Sequence, residues 1–212
     1  MRITVFGATG SVGSRVVTEA LSRGHEVTAV VRDRAKPHGL PAAVAIAVGD
    51  ARDPEAVSRA AAGQDLVITA TRPAPGSEHE LPAATRGLLA GLAGTGVRLL
   101  AVGGAGSLTV PGAGGMTVAE DPGFPADIRP IALACGEQLD LYRADSEVDW
   151  TYLSPAALLE PGERTGRFRI GRDELLVDED GNSAISMEDL AVALLDEAER
   201  PAHRRARFTA AY

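Results

Sequence analysis

Three glycines at intervals of three, Gly7, Gly10 and Gly13, are the residues whose type and spacing could most directly do chemistry in this chain. They follow a short apolar run, Ile3, Val5 and Phe6. They precede a helix-like recurrence at Val12, Val16, Val17, Ala20 and Leu21 that stops near Gly24. Strand, glycine turn and helix in that order form the setting in which such a triplet cradles a dinucleotide. Gly7 permits a sharp turn off the strand, Gly10 lets backbone N–H groups approach a pyrophosphate, and Gly13 lets the helix pack closely on the sheet. The free N–H groups and positive end of the helix then hold the anion. Thr9 and Ser11 add hydroxyl donors, and Val12 opens the helix. The spacing is G-x-x-G-x-x-G rather than G-x-G-x-x-G, so the strand-to-helix setting carries the reading more than the triplet does.

The next strand decides which coenzyme. An acidic residue about twenty positions after the glycines bonds ribose hydroxyls, whereas an arginine accommodates a 2′-phosphate. Arg32 is the first polar residue after His25–Val31, and its planar fork suits a phosphate. Arg34 and Lys36 add charge, while Asp33 could serve a ribose if the register shifts by one. NADP(H) is therefore expected over NAD(H). Asp50 is placed to accept from an adenine amino group, with Ala51 lining the adenine slot; Asp53 reads equally well as a helix cap. Ala70, Thr71 and Arg72 end a strand at the ribose and pyrophosphate. Gly103 and Gly104 end another, where small residues leave room for a flat nicotinamide ring. Ser154 and Pro155 end a third on the ring's far side.

These residues need a frame. Strands are expected at 1–6, 25–31, 44–48, 65–70, 97–102 and 149–154. Helices are expected at 12–24, 54–62, 81–92 and 127–143. Pro54 suits a first helical turn. The continuous apolar run Asp65–Ala70 suits a strand buried on both faces. Residues 103–124 hold seven glycines and no steady periodicity, which in a compact domain marks a functional or mobile loop. Beyond 155, short strands are expected at 167–170 and 175–177, and a last helix opens at Ser186 with Asp189 completing an acidic capping box. An edge strand at 207–211 follows. This alternation implies an α/β, doubly wound parallel sheet with helices on both faces and a small C-terminal mixed extension. One domain spans 1–212, with substrate-pocket elements from about 155 to 212.

The bulk numbers narrow the partners. The chain has 212 residues, of which 45% are hydrophobic and 24% charged, the profile of a globular domain. A formal net charge of −8 disfavours nucleic acid and anionic membrane surfaces. The lone Cys135 excludes an intramolecular disulfide and a cysteine metal cluster. It reads as a small buried hydrophobe. His79 reads as a surface residue, His25 and His38 lie in turns, and no metal site is expected. Trp150 reads as core. The amino terminus lacks a signal-peptide layout, so the cytoplasm is expected, with the protein a monomer or homodimer acting on a small molecule.

The combination Gly7-Ala-Thr-Gly-Ser-Val-Gly13, Val31-Arg-Asp33, Val48-Gly-Asp50, Gly63-Gln-Asp-Leu-Val67, Leu153-Ser-Pro155 and Ile185-Ser-Met-Glu-Asp-Leu190 spans nearly the whole chain. It resembles atypical short-chain dehydrogenase/reductases, in the NAD(P)H-binding group that includes the flavin reductase/biliverdin-IXβ reductase family and the NmrA-like proteins. The resemblance implies a Rossmann-type fold with NADP(H) on Gly7, Thr9 to Val12, Arg32, Asp50, Ala51, Thr71 and Arg72. It also implies hydride transfer to flavins, quinones or similar conjugated acceptors.

One departure bears on mechanism. The main branch of that superfamily uses Tyr-x-x-x-Lys, in which the lysine lowers the tyrosine pKa. Here Tyr142 is followed four residues on by Ser146, and Lys36 is the sole lysine among 21 basic residues. No catalytic side chain is assigned. The expected function is an NADPH-dependent reductase working without a Tyr–Lys pair. The alternatives are a non-enzymatic NADP-binding redox sensor of NmrA type and a tailoring epimerase, dehydratase or ketoreductase. A loop serine, Ser107, could donate to substrate or nicotinamide, and Arg129, Glu137 and Asp140 lie on the helix near the expected pocket.

Overall fold

A computed structural model describes residues 1–35 and 39–212; Lys36 and His38 lie outside the described residues. The chain runs β1 (Arg2–Phe6), α1 (Ser11–Ser22), β2 (Glu26–Val31), β3 (Ala45–Val48), α2 (Pro54–Ala61), β4 (Leu66–Thr69), α3 (Glu80–Leu92) and β5 (Arg98–Val102). After a 3-10 turn at Val118–Glu120 come α4 (Arg129–Ala144), β6 (Trp150–Pro155), β7 (Leu158–Glu160), β8 (Arg169–Gly171), β9 (Ala184–Ser186), α5 (Met187–Glu199) and β10 (Ala206–Ala211). Eight strands form one sheet in the order β3-β2-β1-β4-β5-β6-β10-β8, and β7 pairs with β9 separately. Every pair in the large sheet is parallel except β10 with β8. The strand order reverses between β1 and β4, the switch point at whose carboxyl ends ligands bind in open α/β sheets.

Two apolar layers flank the sheet. On one face Ile3, Val5, Leu153 and Phe208 meet Val16 and Val17 of α1 and Leu190 and Leu194 of α5. On the other, Phe6, Val67, Leu99 and Tyr152 meet Val57 of α2, Leu88 of α3 and Leu139 of α4. Each helix turns an apolar stripe to the sheet, so alternate strand residues enter alternate layers. Trp150 is 4% exposed, a core residue. Among the described residues no helix is long and apolar enough to cross a membrane.

The C-terminal third departs from expectation in three places. Residues 175–177 form no strand. Leu175 instead donates its N–H to Thr109 O, and Glu174 makes only an isolated bridge to Thr109. β10 is not an edge: it lies between β6 and β8 with Phe208 to Ala211 all buried. The hydrophobic alternation of 206–211 revealed a strand but not how many neighbours it would have. The capping box at α5 stays half made. Ser186 Oγ accepts from Asp189 N at 2.9 Å, but the Asp189 carboxylate turns away to Thr165 Oγ1, Gly166 N and Tyr212 Oη. The Ser186 N–H donates to Tyr212 Oη at 3.1 Å instead.

The glycine-rich stretch 103–124 is ordered by its own hydrogen bonds. Val110 N donates to Met116 O, and Val118 N to Leu108 O, giving a narrow hairpin. Arg129 anchors its far end, donating to the carbonyls of Ala119, Asp121 and Phe124 with its guanidinium 5.4 Å from the Phe124 ring centre. It is a scaffold residue.

Candidate nucleotide-binding site

The turn after β1 is shaped by backbone contact. Gly7 has φ +79°, and a Cβ there would lie 2.5 Å from the Ala70 carbonyl oxygen. Only glycine tolerates that conformation at no steric cost. A Cβ on Gly13 would lie 2.0 Å from the Gly7 oxygen, so α1 begins directly against the turn. Gly10 is different. Its Cβ would meet only Gly7 O at 3.3 Å and Ala70 O at 4.0 Å, which leaves its outer side open. Gly10 caps α1 with no side-chain hydrogen bond, and the first turn holds no acidic residue. The first N–H groups of a helix have no intrahelical acceptors. An anion is the natural partner for such a terminus, and the cradle fits a pyrophosphate.

Thr9, Gly10 and Ser11 are exposed on that terminus, and Val12 is half-buried against the core. Ala70 and Thr71 close the turn from β4: Ala70 N donates to Phe6 O at 2.9 Å, and Thr71 Oγ1 lies 3.2 Å from Thr69 Oγ1. Arg72 is exposed beside them.

At the adenosine end the structure sorts the charged residues. Asp33 Oδ1 accepts from Ala35 N at 2.9 Å, which commits it to its own turn. Arg34 Nη2 donates to Ile46 O at 2.6 Å, tying it to β3. Arg32 is exposed, and its charge helps to lower the pKa of Asp50. The Asp50 carboxylate is gripped by Arg52 through Nη2 at 2.6 Å and Nε at 3.0 Å. Arg52 in turn reaches Glu80 at 3.0 Å. Hydrogen bonding from Arg52 outweighs burial and holds Asp50 below the usual carboxylate range, ionised and able to accept. Ala51 is 6% exposed and packs in the core, its carbonyl oxygen against Gly87 of α3, so its methyl does not line an open slot. Asp53 caps α2, accepting from Glu55 N.

The glycines after β5 do not leave the room expected of them. A Cβ on Gly103 would lie 2.0 Å from Tyr152 Oη, and one on Gly104 3.0 Å from Cys135 Sγ. The absent side chains make way for Tyr152 and α4, so a ring at this point could be met only by their backbone. Ser154 and Pro155 are buried within β6. Neither buried tyrosine is poised for proton transfer. Tyr152 donates to Cys135 O at 3.0 Å, and burial pushes the hydroxyls of both Tyr142 and Tyr152 well above their ordinary pKa. Burial likewise pushes the Cys135 thiol up to about 11, an inert form. Glu137 is paired with Arg86 at 2.9 Å on the surface.

One group escaped sequence reasoning. Arg207, buried on β10, donates to Ser107 Oγ at 2.9 Å and Ser107 O at 3.0 Å. It also holds Asp173 Oδ1 through Nη2 at 2.6 Å and Nε at 2.9 Å. It fastens the post-β5 loop to the turn after β8. The polar alternation Arg207, Thr209 between Phe208 and Ala210 was the available signal.

The NAD(P)H-binding family matches residues 7–201. The chain belongs to that family. YwnB of Bacillus subtilis, itself uncharacterised, is 42% identical over 99% of this chain and 97% of its own length. Three solved structures superpose at TM-score 0.90 over the whole of this chain. One, from Burkholderia pseudomallei, bears the provisional name exported protein (42% identical, all of that chain covered). Another, from Bacteroides thetaiotaomicron, is provisionally an epimerase (40%, 96% covered). The third, from Streptococcus pneumoniae, is provisionally an NADH-flavin reductase (33%, 99% covered). A nicotinamide coenzyme is thus the ligand class of this fold, and its phosphates fit the cradle at α1.

Proposed function

We propose that this chain is an NADPH-dependent oxidoreductase that delivers hydride to a flavin-, quinone- or similarly conjugated acceptor. The observation that carries the reading is the glycine turn after β1, packed against an α1 terminus that has no side-chain cap and no acidic residue in its first turn. Gly7, Gly10, Gly13 and the N–H groups of α1 hold the pyrophosphate, while Thr71 and Arg72 flank it. Asp50 accepts from the adenine, and Arg32 takes the 2′-phosphate. The bound nicotinamide supplies the hydride. The protein supplies orientation and exclusion of water, which suffice for an electron-poor ring. Reduction of a simple ketone needs a positioned proton donor, whereas Tyr142 and Tyr152 are fully buried and Tyr152 Oη already donates to Cys135 O. The relative named as a flavin reductase supports this reading; the one named as an epimerase points to the alternative chemistry.

NADPH oxidation followed by absorbance against FMN, riboflavin and quinones tests the reading. Turnover with at least one is expected. Tight coenzyme binding with no turnover against any of them would make the protein a redox sensor instead. Coenzyme choice has its own test. Arg32→Ala should weaken NADPH about tenfold or more, a charge-assisted contact of roughly 1.5–3 kcal/mol, and leave NADH nearly unchanged. Equal loss of both in calorimetry would remove Arg32 from the 2′-phosphate.

A further inference from the structure

The turn after β3 is held from three sides. Gly49 N donates to Val31 O at 3.0 Å, and Asp53 N donates to Asp50 O at 3.1 Å. A Cβ on Gly87 would lie 2.2 Å from Ala51 O and 2.8 Å from Arg52 Cα, so α3 packs directly on the turn. Arg52 stretches across it. Its Nη1 donates to Glu80 Oε1 on α3 at 3.0 Å, while its backbone N, Nε and Nη2 all go to Asp50.

The count of acceptor sites at Asp50 follows. A carboxylate offers about four lone-pair sites, two on each oxygen. Oδ1 uses both, for Arg52 N at 2.9 Å and Arg52 Nε at 3.0 Å. Oδ2 uses one for Arg52 Nη2 at 2.6 Å; its 3.2 Å approach to Nε is the longer branch of a shared bond. One accepting direction therefore remains among the described residues, on Oδ2. The Asp50 side chain is 31% exposed, within reach of a ligand from solvent.

We propose that Arg52 is a positioning residue that fixes Asp50 as a single-donor reader of the coenzyme base, selecting a 6-amino purine over a 6-oxo purine. The inference rests on the reading of Asp50 as the adenine acceptor and deepens it. Adenine presents an N–H donor at C6. Hypoxanthine presents a carbonyl oxygen there and carries its proton on N1. A carboxylate free to rotate can follow that proton to N1. One clamped at both oxygens and tied to α3 cannot, and it meets the 6-oxo oxygen with its own negative charge. The same clamp leaves no pair of sites for the two hydroxyls of a ribose.

The test compares calorimetric affinities for NADP+ and its hypoxanthine analogue, deamino-NADP+. The wild type should prefer NADP+ about tenfold or more, the range for a hydrogen bond to a charged acceptor. Arg52→Met should narrow that preference to about threefold or less, and so should Arg52→Lys, which keeps the charge but not the two-point grip. A general loosening of the fold would weaken both coenzymes alike and leave their ratio unchanged. The wild-type ratio in either Arg52 variant overturns the proposal. Asp50→Ala examines the underlying reading. A wild-type ratio in Asp50→Ala, or no preference in the wild type, removes Asp50 from the base. A ratio lost in Asp50→Ala and kept in Arg52→Met refutes the role of Arg52 alone.

Discussion

Gly13→Ala is expected to abolish coenzyme binding in calorimetry and to lower the melting temperature. The new methyl would lie 2.0 Å from Gly7 O and 2.7 Å from Gly7 C, against backbone that has no rotamer with which to yield. Relief requires α1 to move off the turn, which carries its N–H groups away from the phosphates. Overpacking of this kind costs about 1–3 kcal/mol of stability, or roughly 2–12 °C in a chain of this size. The binding loss should exceed about a hundredfold, each tenfold being about 1.4 kcal/mol. Gly136→Ala is the control. It lies within α4 with nothing inside 4 Å of its Cβ, and there alanine should be neutral or stabilising by up to about 1 kcal/mol. Unimpaired binding by Gly13→Ala would mean that the coenzyme does not use the terminus of α1.

Glu197→Ala is expected to destabilise the fold by about 3–5 kcal/mol, the usual result of orphaning one member of a buried ion pair. Glu197 of α5 is 4% exposed and meets Arg98 Nη2 at 2.5 Å. It also accepts from Ala202 N, His203 N and His203 Nδ1. Arg98 reaches Thr151 Oγ1 as well, so the cluster ties α5 to the amino ends of β5 and β6. Removing both partners, Arg98→Met with Glu197→Leu, should recover most of the loss. Burial raises the Glu197 pKa, but the His203 and Arg98 contacts more than reverse this and leave it below the ordinary 4.5. A depressed carboxylate pKa stabilises above its unfolded value and loses that stability as pH falls through its folded value. The wild type should therefore weaken below about pH 4.5, and denaturant midpoints for the double variant should fall less steeply there. Because this cluster lies at the opposite end of the strands from Gly7, coenzyme affinity measured on the folded fraction should not change. Equal midpoints for Glu197→Ala and wild type would show that the pair contributes nothing net.

The amino acid order by itself determined the local features of this protein. The Gly7–Gly13 turn, the alternation of strands and helices through residue 155, the Ser186 cap and the NAD(P)H-binding family were all legible. The family is carried by short motifs spread along the chain; the other features each depend on residues within a few positions of one another, where periodicity and turn chemistry act directly. Tertiary structure alone decided what lies beside what. It placed β10 inside the sheet, turned Gly103 and Gly104 toward Tyr152 and α4, and drew Asp189 from its own helix cap to Tyr212. It also joined Ser107 to Arg207, one hundred positions later, and set Ser154 against Thr209. Alternation tells which residues share a face, but register between distant strands is settled only when the whole sheet assembles.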